Sequence, residues 1–568
     1  MQTALDPTLS KTLPFRGINL RYAKERYDEN GILRDYDLEY PENFNFAYDV
    51  VDEIAENDPF RHAMVWCDPD GNERIFTFAD MKKYSDKTAN YLLSLGIEKG
   101  DIVMVILKRN YEFWYTTLAL HKIGALLLPA TFMLTAHDVE YRMNAAGVKA
   151  VVCTTLCDTP DAIDSVFDGC PTLTTRVIVR GERENWDCFD SGVEAASEDF
   201  ERIETAVTEP MIMYFSSGTS GYPKMVLHNH TYALAHLFGA KHWHNVEPDG
   251  LHFTIADTGW GKAVWGKLYG QWLMEAPIMT YDYDRFDPAE ILGLFAKFKI
   301  TTLCMPPTMY RMLLNYENLG DFDLSSLKYC TTAGEALNPD VFYNWEKLTG
   351  IQIMEGYGQT ETVLSICNIV GTTPKPGSLG KPSFQYPVAL MDEDGAPCPR
   401  GKTGEIVIKL GDHPYGLLDC YYLDDEKTEE AFRGGWYHTG DTAWMDEDGY
   451  YWYVGRNDDI IKSSGYRIGP FEIESVMMEH PSVQECAVTG IPDSIRGQIV
   501  KATVVLTPGY EPNDELKIEI QNFVKKNTAP YKYPREIVFV DALPKTVNGK
   551  IRRSEIRAED IKVSLSCD

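Results

Sequence analysis

Apolar runs alternate with amphipathic stretches through the first part of the chain. The runs Asp101 to Leu107, Ala125 to Pro129 and Ala150 to Thr154 predict buried strands, and Tyr111 to His121 predicts a helix between the first two. The order strand, helix, strand is typical of a parallel sheet covered by helices.

The same order recurs further along. A helical stretch from Pro288 to Phe298 precedes a strand from Thr301 to Met305, a helix beginning near Thr308 and a strand from Tyr329 to Thr332. Two doubly wound subdomains account for the recurrence. Because ligands gather at the carboxyl ends of strands in such sheets, we expect the motifs that follow these strands to share one crevice.

Two further regions follow. From Gly377 to Val454 short alternating strands with Gly, Pro and Asp turns predict a small β-barrel-like subdomain, and beyond Asp458 helices and strands alternate again. We therefore predict an α/β protein with an N-terminal domain at 1–457, made of the two doubly wound subdomains and the β subdomain, and a small mobile α/β C-terminal domain at 458–568.

Length, charge and hydropathy limit the classes of function that the chain can have. The 568 residues exceed what one core usually organises, and 85 acidic against 54 basic side chains give a formal charge of -31. That charge repels nucleic acid and anionic membranes. No apolar run approaches the length of a membrane span, and no signal peptide is visible at the start, so we expect a soluble, cytoplasmic protein.

The twelve cysteines form no CxxC pair, and the closest two, Cys153 and Cys157, match no common zinc arrangement. We expect them to be reduced, mostly buried thiols.

The segment from Ser216 to Lys224 reads as a loop that binds phosphate. It carries hydroxyl side chains, a lysine, and glycines at 218 and 221 that let backbone amides turn towards an anion. It is not a Walker A loop, because no Gly-Lys-Ser/Thr triplet follows at the required spacing and Pro223 stops a helix from running through Lys224. A P-loop kinase or GTPase is therefore disfavoured.

Further glycine-rich motifs follow this loop in order: GYGQTE at 356–361, WYHTGD at 436–441, GRNDD at 455–459, SSGYRIGP at 463–470 and LPKTVNGK at 543–550. The ordered set resembles the adenylate-forming superfamily of acyl-CoA synthetases, peptide-synthetase adenylation domains and luciferases, and within it the medium-chain acyl-CoA synthetases. The resemblance runs from about Asn43 to Arg553.

The resemblance implies activation of a carboxylic acid by ATP and Mg²⁺ through an acyl adenylate, followed by transfer to coenzyme A. It implies that Thr360, Glu361 and Lys550 are catalytic, that Glu361 binds Mg²⁺, and that Lys550 bridges the carboxylate and the α-phosphate. The implied ATP- and AMP-binding residues are Ser216, Ser217, Gly218, Thr219, Ser220, Gly221, Lys224, Gly334, Glu335, Glu355, Gly356, Tyr357, Gly358, Gln359, Thr360, Asp441 and Arg456.

The resemblance also implies a coenzyme A site in the tail and a hinge at Asp458. After adenylate formation the small domain is expected to rotate about this hinge and exchange Lys550 for the segment around Ser463 to Arg467. The implied coenzyme A contacts are Ser464, Gly465, Tyr466, Arg496, Lys525, Tyr533, Pro534 and Arg535.

The acyl pocket is expected around Trp260, Gly334 and Gly358, with Trp265 and Tyr310 as further wall residues. Acetyl-CoA synthetases resemble this segment but carry tryptophan where Gly358 stands, so a glycine is expected to leave space for a medium-chain, branched or aromatic acid.

Three alternatives stay open. Asp257 could pair with the amine of an amino acid, as an aspartate does in amino-acid-adenylating domains, and the protein could then load a carrier protein. A luciferase-like oxygenase and a non-enzymatic binding module are the others. The expected partners are the acid, ATP and coenzyme A, without nucleic acid or a membrane span.

Overall fold

The computed structural model describes residues 17–216, 223–411, 415–463, 466–493, 495–529, 531–545 and 551–565. Backbone contacts divide them into two compact units. The first contains residues 17–216, 223–387, 410–411 and 415–430. The second contains 388–409 and the described residues from 431 onward.

The first unit contains two large sheets. Within the described residues, the first sheet has eight strands, and those at its centre run parallel. In spatial order they are Cys420–Tyr421, Lys224–Asn229, Pro210–Ser216, Leu126–Pro129, Ile102–Ile106, Ala150–Thr154, Thr175–Val179 and Asp187–Cys188.

The second sheet has nine strands in the same part of the chain, and a parallel run of six lies between antiparallel edges. In spatial order the strands are Lys381–Pro382, Ile366–Cys367, Ile353–Tyr357, Tyr329–Thr332, Thr302–Cys304, His252–Thr254, Ile278–Tyr281, His62–Cys67 and Glu73–Thr77. A separate hairpin pairs Ala23–Tyr27 with Leu33–Leu38.

Helices connect these strands. Thr77 and Thr135 each begin a helix with a capping box, and Gly124 and Gly147 end helices in the left-handed conformation that glycine adopts without strain. The α-helices are Ile18–Tyr22, Glu53–Asn57, Phe78–Ser94, Glu112–Ile123, Ala136–Ala146, Thr159–Val166, Phe189–Ala195, Thr231–Phe238, Gly261–Lys267, Tyr269–Leu273, Pro288–Phe298, Pro307–Leu314, Pro339–Thr349 and Asp425–Ala431. Single π-helical turns span Ala47–Asp52 and Gly239–Trp243.

The second unit has two sheets in its described residues. Val388–Met391, Thr403–Lys409, Trp436–Met445 and Tyr451–Arg456 form an antiparallel sheet, the expected β subdomain. The other sheet contains Tyr466–Ile468, Ile461–Ser463, Gly497–Leu506, Val483–Asp493 and Glu536–Phe539, with helices Pro470–Met478, Asp514–Asn527 and Arg553–Leu565.

The predicted doubly wound pattern and the α/β tail are both confirmed. The predicted domain boundary between 457 and 458 stays a prediction. All eleven cysteines in the described part of the chain are free thiols, and seven of them are buried, as expected. None of the helices in the described residues is long and apolar enough to cross a membrane.

Candidate active site

The ends of the predicted phosphate loop form an antiparallel hairpin. Ser216 is the last residue of its strand and lies opposite Lys224, the first residue of the next. The loop residues Ser217, Gly218, Thr219, Ser220 and Gly221 lie outside the described residues, so their role stays a prediction.

Glu361 is held close to this hairpin. Its Oε1 accepts hydrogen bonds from the Ser216 hydroxyl at 3.3 Å and from the Tyr421 hydroxyl at 3.1 Å. The Lys224 ammonium lies 4.6 Å from the centre of the Tyr421 ring. The structure thus brings together Ser216, Lys224 and Glu361. Tyr421 was missed, because it lies 60 residues beyond Glu361 in a segment without a motif.

Thr360 is positioned through its backbone. The His228 Nε2 atom is 2.8 Å from the Thr360 carbonyl oxygen, and a carbonyl can only accept, so Nε2 carries the proton. Burial lowers the pKa of His228 to about 4, which keeps the ring neutral. The backbone N–H of the preceding residue, Gln359, donates to the Thr362 hydroxyl at 3.0 Å. These bonds order the 359–362 turn, where a charged phosphate would need fixed donors.

Glu355 points into the protein core. Its Oε1 accepts a hydrogen bond from the Leu337 backbone N–H at 3.0 Å, and burial raises the pKa of the carboxyl to about 8. A neutral carboxyl therefore supports the 334–337 segment from beneath. The nucleotide-binding role implied for Glu355 stays a prediction.

Gly334 adopts a φ of 97°, which a residue with a side chain would strain to reach. The Lys262 ammonium donates to the neighbouring Ala333 carbonyl at 2.5 Å. Glu335 accepts a hydrogen bond from the Thr308 hydroxyl at 2.8 Å. Lys262 brings a positive charge to this turn, and no sequence motif marked it.

Gly356, Tyr357 and Gly358 lie at the end of one strand of the second sheet, in very close packing. A Cβ on Gly356 would lie 2.7 Å from Trp243. A Cβ on Gly358 would overlap the Val363 carbonyl oxygen and lie 2.5 Å from Trp265 Cη2. The space over Gly358 is therefore occupied by the indole of Trp265, and the expectation that glycine leaves it open is wrong for this structure.

A small cavity remains beside this indole. Its volume is about 10 Å³, room for a single water molecule. Its lining residues are Ala235, His236, Gly239, Trp243, His244, Trp265, Val363 and Leu364. Tyr310, the other expected wall residue, is instead a core residue: its ring packs against Trp345 and its hydroxyl donates to the Thr331 carbonyl.

Asp257 and Trp260 belong to one tightly packed segment. Asp257 is buried, its Oδ2 lies 3.3 Å from Arg109 Nη1, and its Oδ1 accepts from the Gly259 N–H at 2.9 Å. Burial raises the pKa of Asp257, and the Arg109 guanidinium opposes that rise. Trp260, half-buried, precedes the helix Gly261–Lys267. The Asp257 carboxyl is thus already paired with a cation of the protein itself.

The second unit contains the other nucleotide candidates. Asp441 lies opposite Arg456 on paired strands, is buried, and accepts a hydrogen bond from the Tyr453 hydroxyl at 3.1 Å. Gly440 has a φ of 71° and leaves 3.8 Å between a notional Cβ and Arg456 Nη2. Asp441 and Arg456 are brought together as predicted.

The carboxylate of the predicted hinge residue Asp458 accepts a hydrogen bond from Arg456 Nε at 3.3 Å, and both side chains are partly exposed. Its neighbour Asp459 binds Arg553 and Arg557 within the same unit. Lys550 lies outside the described residues, so its predicted role stays a prediction.

The predicted coenzyme A residues include a compact cationic group. The Lys525 ammonium lies 4.1 Å from the centre of the Tyr533 ring, and Arg535 donates to the Tyr533 hydroxyl at 2.8 Å. The Arg496 backbone N–H donates to Asp493, whose pKa is lowered by backbone hydrogen bonds and by charges that include Arg496 and Arg535. This arrangement concentrates positive charge in an acidic protein.

Around that group, the Tyr466 ring stacks on the Tyr531 ring with centroids 4.0 Å apart, and Pro534 is buried. Ser464 and Gly465 lie outside the described residues.

Two family models match the chain. The AMP-binding enzyme model covers residues 51–422, and the AMP-binding enzyme C-terminal domain model covers residues 472–550. Mouse acyl-coenzyme A synthetase ACSM3, mitochondrial, is 42% identical over 538 residues, which are 93% of this chain and 92% of the mouse protein. Human acyl-coenzyme A synthetase ACSM4, mitochondrial, is 41% identical over 92% of this chain and 91% of its own length.

Solved structures show the same fold. The anthranilate CoA ligase AuaEII in complex with anthranoyl-AMP matches with a TM-score of 0.84 and 29% identity, over 93% of this chain and 99% of its own. A benzoate CoA ligase from Burkholderia xenovorans LB400 matches with a TM-score of 0.78 and 25% identity, over 90% and 100%. The chain belongs to the AMP-binding enzyme family and is an ATP-dependent, AMP-forming acid–coenzyme A ligase.

Proposed function

We propose that this ligase uses ATP and Mg²⁺ to join a medium-chain, branched or aromatic carboxylic acid to coenzyme A through an acyl adenylate. The observation that carries the proposal is the group formed by Ser216, Lys224, Tyr421 and Glu361 at the ends of the predicted phosphate loop, in which Tyr421 contacts both the Glu361 carboxylate and the Lys224 ammonium. A carboxylate oxygen is the kind of ligand that Mg²⁺ prefers.

Each member of this group has a separate task. Glu361 would hold the metal ion, which would neutralise phosphate charge as pyrophosphate leaves. Lys224 would add a further positive charge to the phosphates, and the Ser216 and Tyr421 hydroxyls orient the Glu361 carboxylate. The Thr360 backbone, ordered by His228, would donate to the α-phosphate region.

In the second unit, the Asp441 carboxylate would accept hydrogen bonds from the ribose hydroxyls, with Arg456 beside it. Lys550 would bridge the acid and the α-phosphate, and Asp458 would act as the hinge of a C-terminal domain beginning at 458.

Coenzyme A is the proposed thiol acceptor. The Lys525, Tyr533 and Arg535 group supplies two cations around one aromatic ring. Coenzyme A carries a 3′-phosphate and a diphosphate, so an acidic chain needs such a local group to bind it. A carrier-loading ligase is not favoured, because the chain's relatives are acyl-CoA synthetases and CoA ligases.

The proposed substrate is an acid without an α-amine. Asp257 is buried and paired with Arg109, so it is not available to a substrate ammonium group. Relatives named for anthranilate and benzoate favour an aromatic acid, and the resemblance of the motifs to medium-chain acyl-CoA synthetases favours an aliphatic one. Within the proposed set, the Trp265 indole over Gly358 favours a flat acyl group.

The test is pyrophosphate release with acids from acetate to octanoate, 2-methylbutyrate, benzoate, anthranilate and amino acids, each with and without coenzyme A. Acyl-CoA formation that peaks at a larger acid without an α-amine supports the proposal. Turnover confined to amino acids and unaffected by coenzyme A contradicts it and returns attention to Asp257.

We expected a cytoplasmic location, whereas mouse ACSM3 and human ACSM4 are named as mitochondrial proteins. The homology favours the mitochondrion as the site of action. Fractionation of the source cells, with detection of this chain by antibody, decides between the two compartments.

A further inference from the structure

Two cysteines that the ligase reaction does not use lie on one turn. Cys153 is in the strand Ala150–Thr154, and Cys157 lies in the turn that leads from it into the helix Thr159–Val166. Both thiols are directed at the same atom, the Thr154 carbonyl oxygen, with Sγ–O distances of 3.9 Å and 3.7 Å. The two side chains also hydrogen-bond each other, so their sulfur atoms are neighbours.

The two thiols differ in accessibility. Cys153 is fully buried, whereas Cys157 is partly exposed, and its Sγ lies 3.4 Å from the Thr159 hydroxyl. A hydrogen bond with Cys153 lowers the pKa of Cys157 to about 6, with burial opposing it and the Lys108 ammonium contributing. Burial raises the pKa of Cys153. One sulfur is thus a reachable thiolate and the other a protected thiol, as in attacking and resolving cysteine pairs.

We propose that Cys153 and Cys157 form a redox-sensitive dithiol that a low-molecular-weight disulfide, of the class of oxidised glutathione, converts into an intramolecular disulfide. The Cys157 thiolate attacks one sulfur of that disulfide, whose S–S bond breaks and releases one thiolate. The Cys153 sulfur, as its proton leaves, then attacks the Cys157 sulfur and expels the second thiolate. Two protein thiols are oxidised, one small disulfide is reduced to two thiols, and the protons go to the released thiolates.

The turn that carries Cys157 is connected to the predicted acyl pocket. The Thr159 hydroxyl donates to the Phe132 carbonyl at 2.7 Å, one residue from Thr131. Thr131 and Ala130 pack so closely against Gly259 that a Cβ there would overlap their backbone, and Trp260 follows Gly259. Because a disulfide has narrow geometric limits, closing it shifts the turn, and the shift reaches Trp260 through these contacts. The oxidised protein is expected to lose activity towards the acid.

The experiment uses the full chain and oxidised glutathione at graded redox potential. After acid quenching, alkylation of free thiols and peptide mapping, the unmodified sequence is expected to show a Cys153–Cys157 disulfide that dithiothreitol removes, with loss and recovery of acyl-CoA synthesis in parallel. Cys153→Ser is expected to trap a glutathionyl group on Cys157. Cys157→Ser is expected to show neither product.

Cys188→Ser is the matched control, because Cys188 is also partly exposed but its Sγ donates to the Gly181 carbonyl in another turn. It should oxidise as the unmodified chain does. Persistence of both thiols in the unmodified chain while other cysteines react would overturn the proposal without any variant. A disulfide that forms with no loss of activity would overturn the link to the acyl pocket. Peptide mapping needs no ligase activity, so these results are independent of the proposed substrate.

Discussion

Trp265, rather than the residue at 358, is predicted to limit the length of the acid. The indole lies directly on Gly358, where the nearest ring atom would be 2.5 Å from an added Cβ, and the cavity beside it holds about one water molecule. The substitution Trp265→Ala removes the indole, and the space that the indole occupied becomes part of that cavity. Val363 and Leu364 would then form an apolar wall against a longer acyl chain.

The gain can be worked from transfer energies. Each methylene that the vacated space buries contributes about 0.8 kcal/mol, which is roughly a fourfold gain in kcat/KM. A chain longer by three methylenes would therefore gain roughly sixtyfold relative to the shorter acid, before any cost of ordering the chain. The preferred length should move upward, and the value for acetate should change little.

The assay is kcat/KM from coenzyme A-dependent pyrophosphate release over acids from acetate to dodecanoate, with thermal unfolding measured to check that the variant is folded. Gly358→Ala is the control: its Cβ meets backbone of Val363 that cannot easily move, so activity should fall for every acid alike. The reasoning is refuted if Trp265→Ala leaves the length profile unchanged while Gly358→Ala shifts it towards shorter acids.

Four further changes test other parts of the site. Glu355→Gln should flatten the pH dependence of stability: the folded pKa of about 8 exceeds the usual value, so the wild type loses up to about 1.4 kcal/mol per pH unit as pH rises from about 5 towards 8, measured by denaturant unfolding. A variant with the same slope as wild type would contradict this. Asp257→Asn leaves Arg109 buried without its partner and should destabilise the fold by about 3 kcal/mol in the same assay, without changing selectivity against amino acids. Lys550→Ala should abolish adenylation but spare thioester formation from supplied acyl adenylate; intact ATP-dependent pyrophosphate release would argue against its role. Asp458→Pro should slow thioester formation more than adenylation in single-turnover assays, and equal losses would count against a hinge there.

Most of the fold could be predicted from periodicity. The strand Ala150–Thr154 and the helix Pro288–Phe298 lie at their predicted bounds, because fully buried strands and amphipathic helices leave strong local patterns. Candidate site residues within glycine-rich motifs, such as Glu361 and Asp441, came from the family resemblance of those motifs, and their roles stay predictions. A tight turn beside a ligand requires particular residue types at short spacing.

Contacts between distant segments could not be predicted in this way. Tyr421 reaches Glu361 from 60 residues away, and Lys262 meets the turn at Gly334, yet neither stands in a recognisable motif. The neutral state of Glu355 follows from burial beneath Leu337, which no single-sequence pattern reports.

The amino-acid sequence by itself determined the α/β class, the order of the motifs and the family, because these depend on local spacing and residue type. Only the tertiary structure decided that Trp265 fills the space over Gly358, that Asp257 is paired with Arg109, and that Cys153 and Cys157 face one another. These facts depend on which side chains occupy the same volume and on how far each is removed from water. The shared volume and the removal from water are both set by how segments pack after the chain has folded, and local sequence patterns do not report that packing.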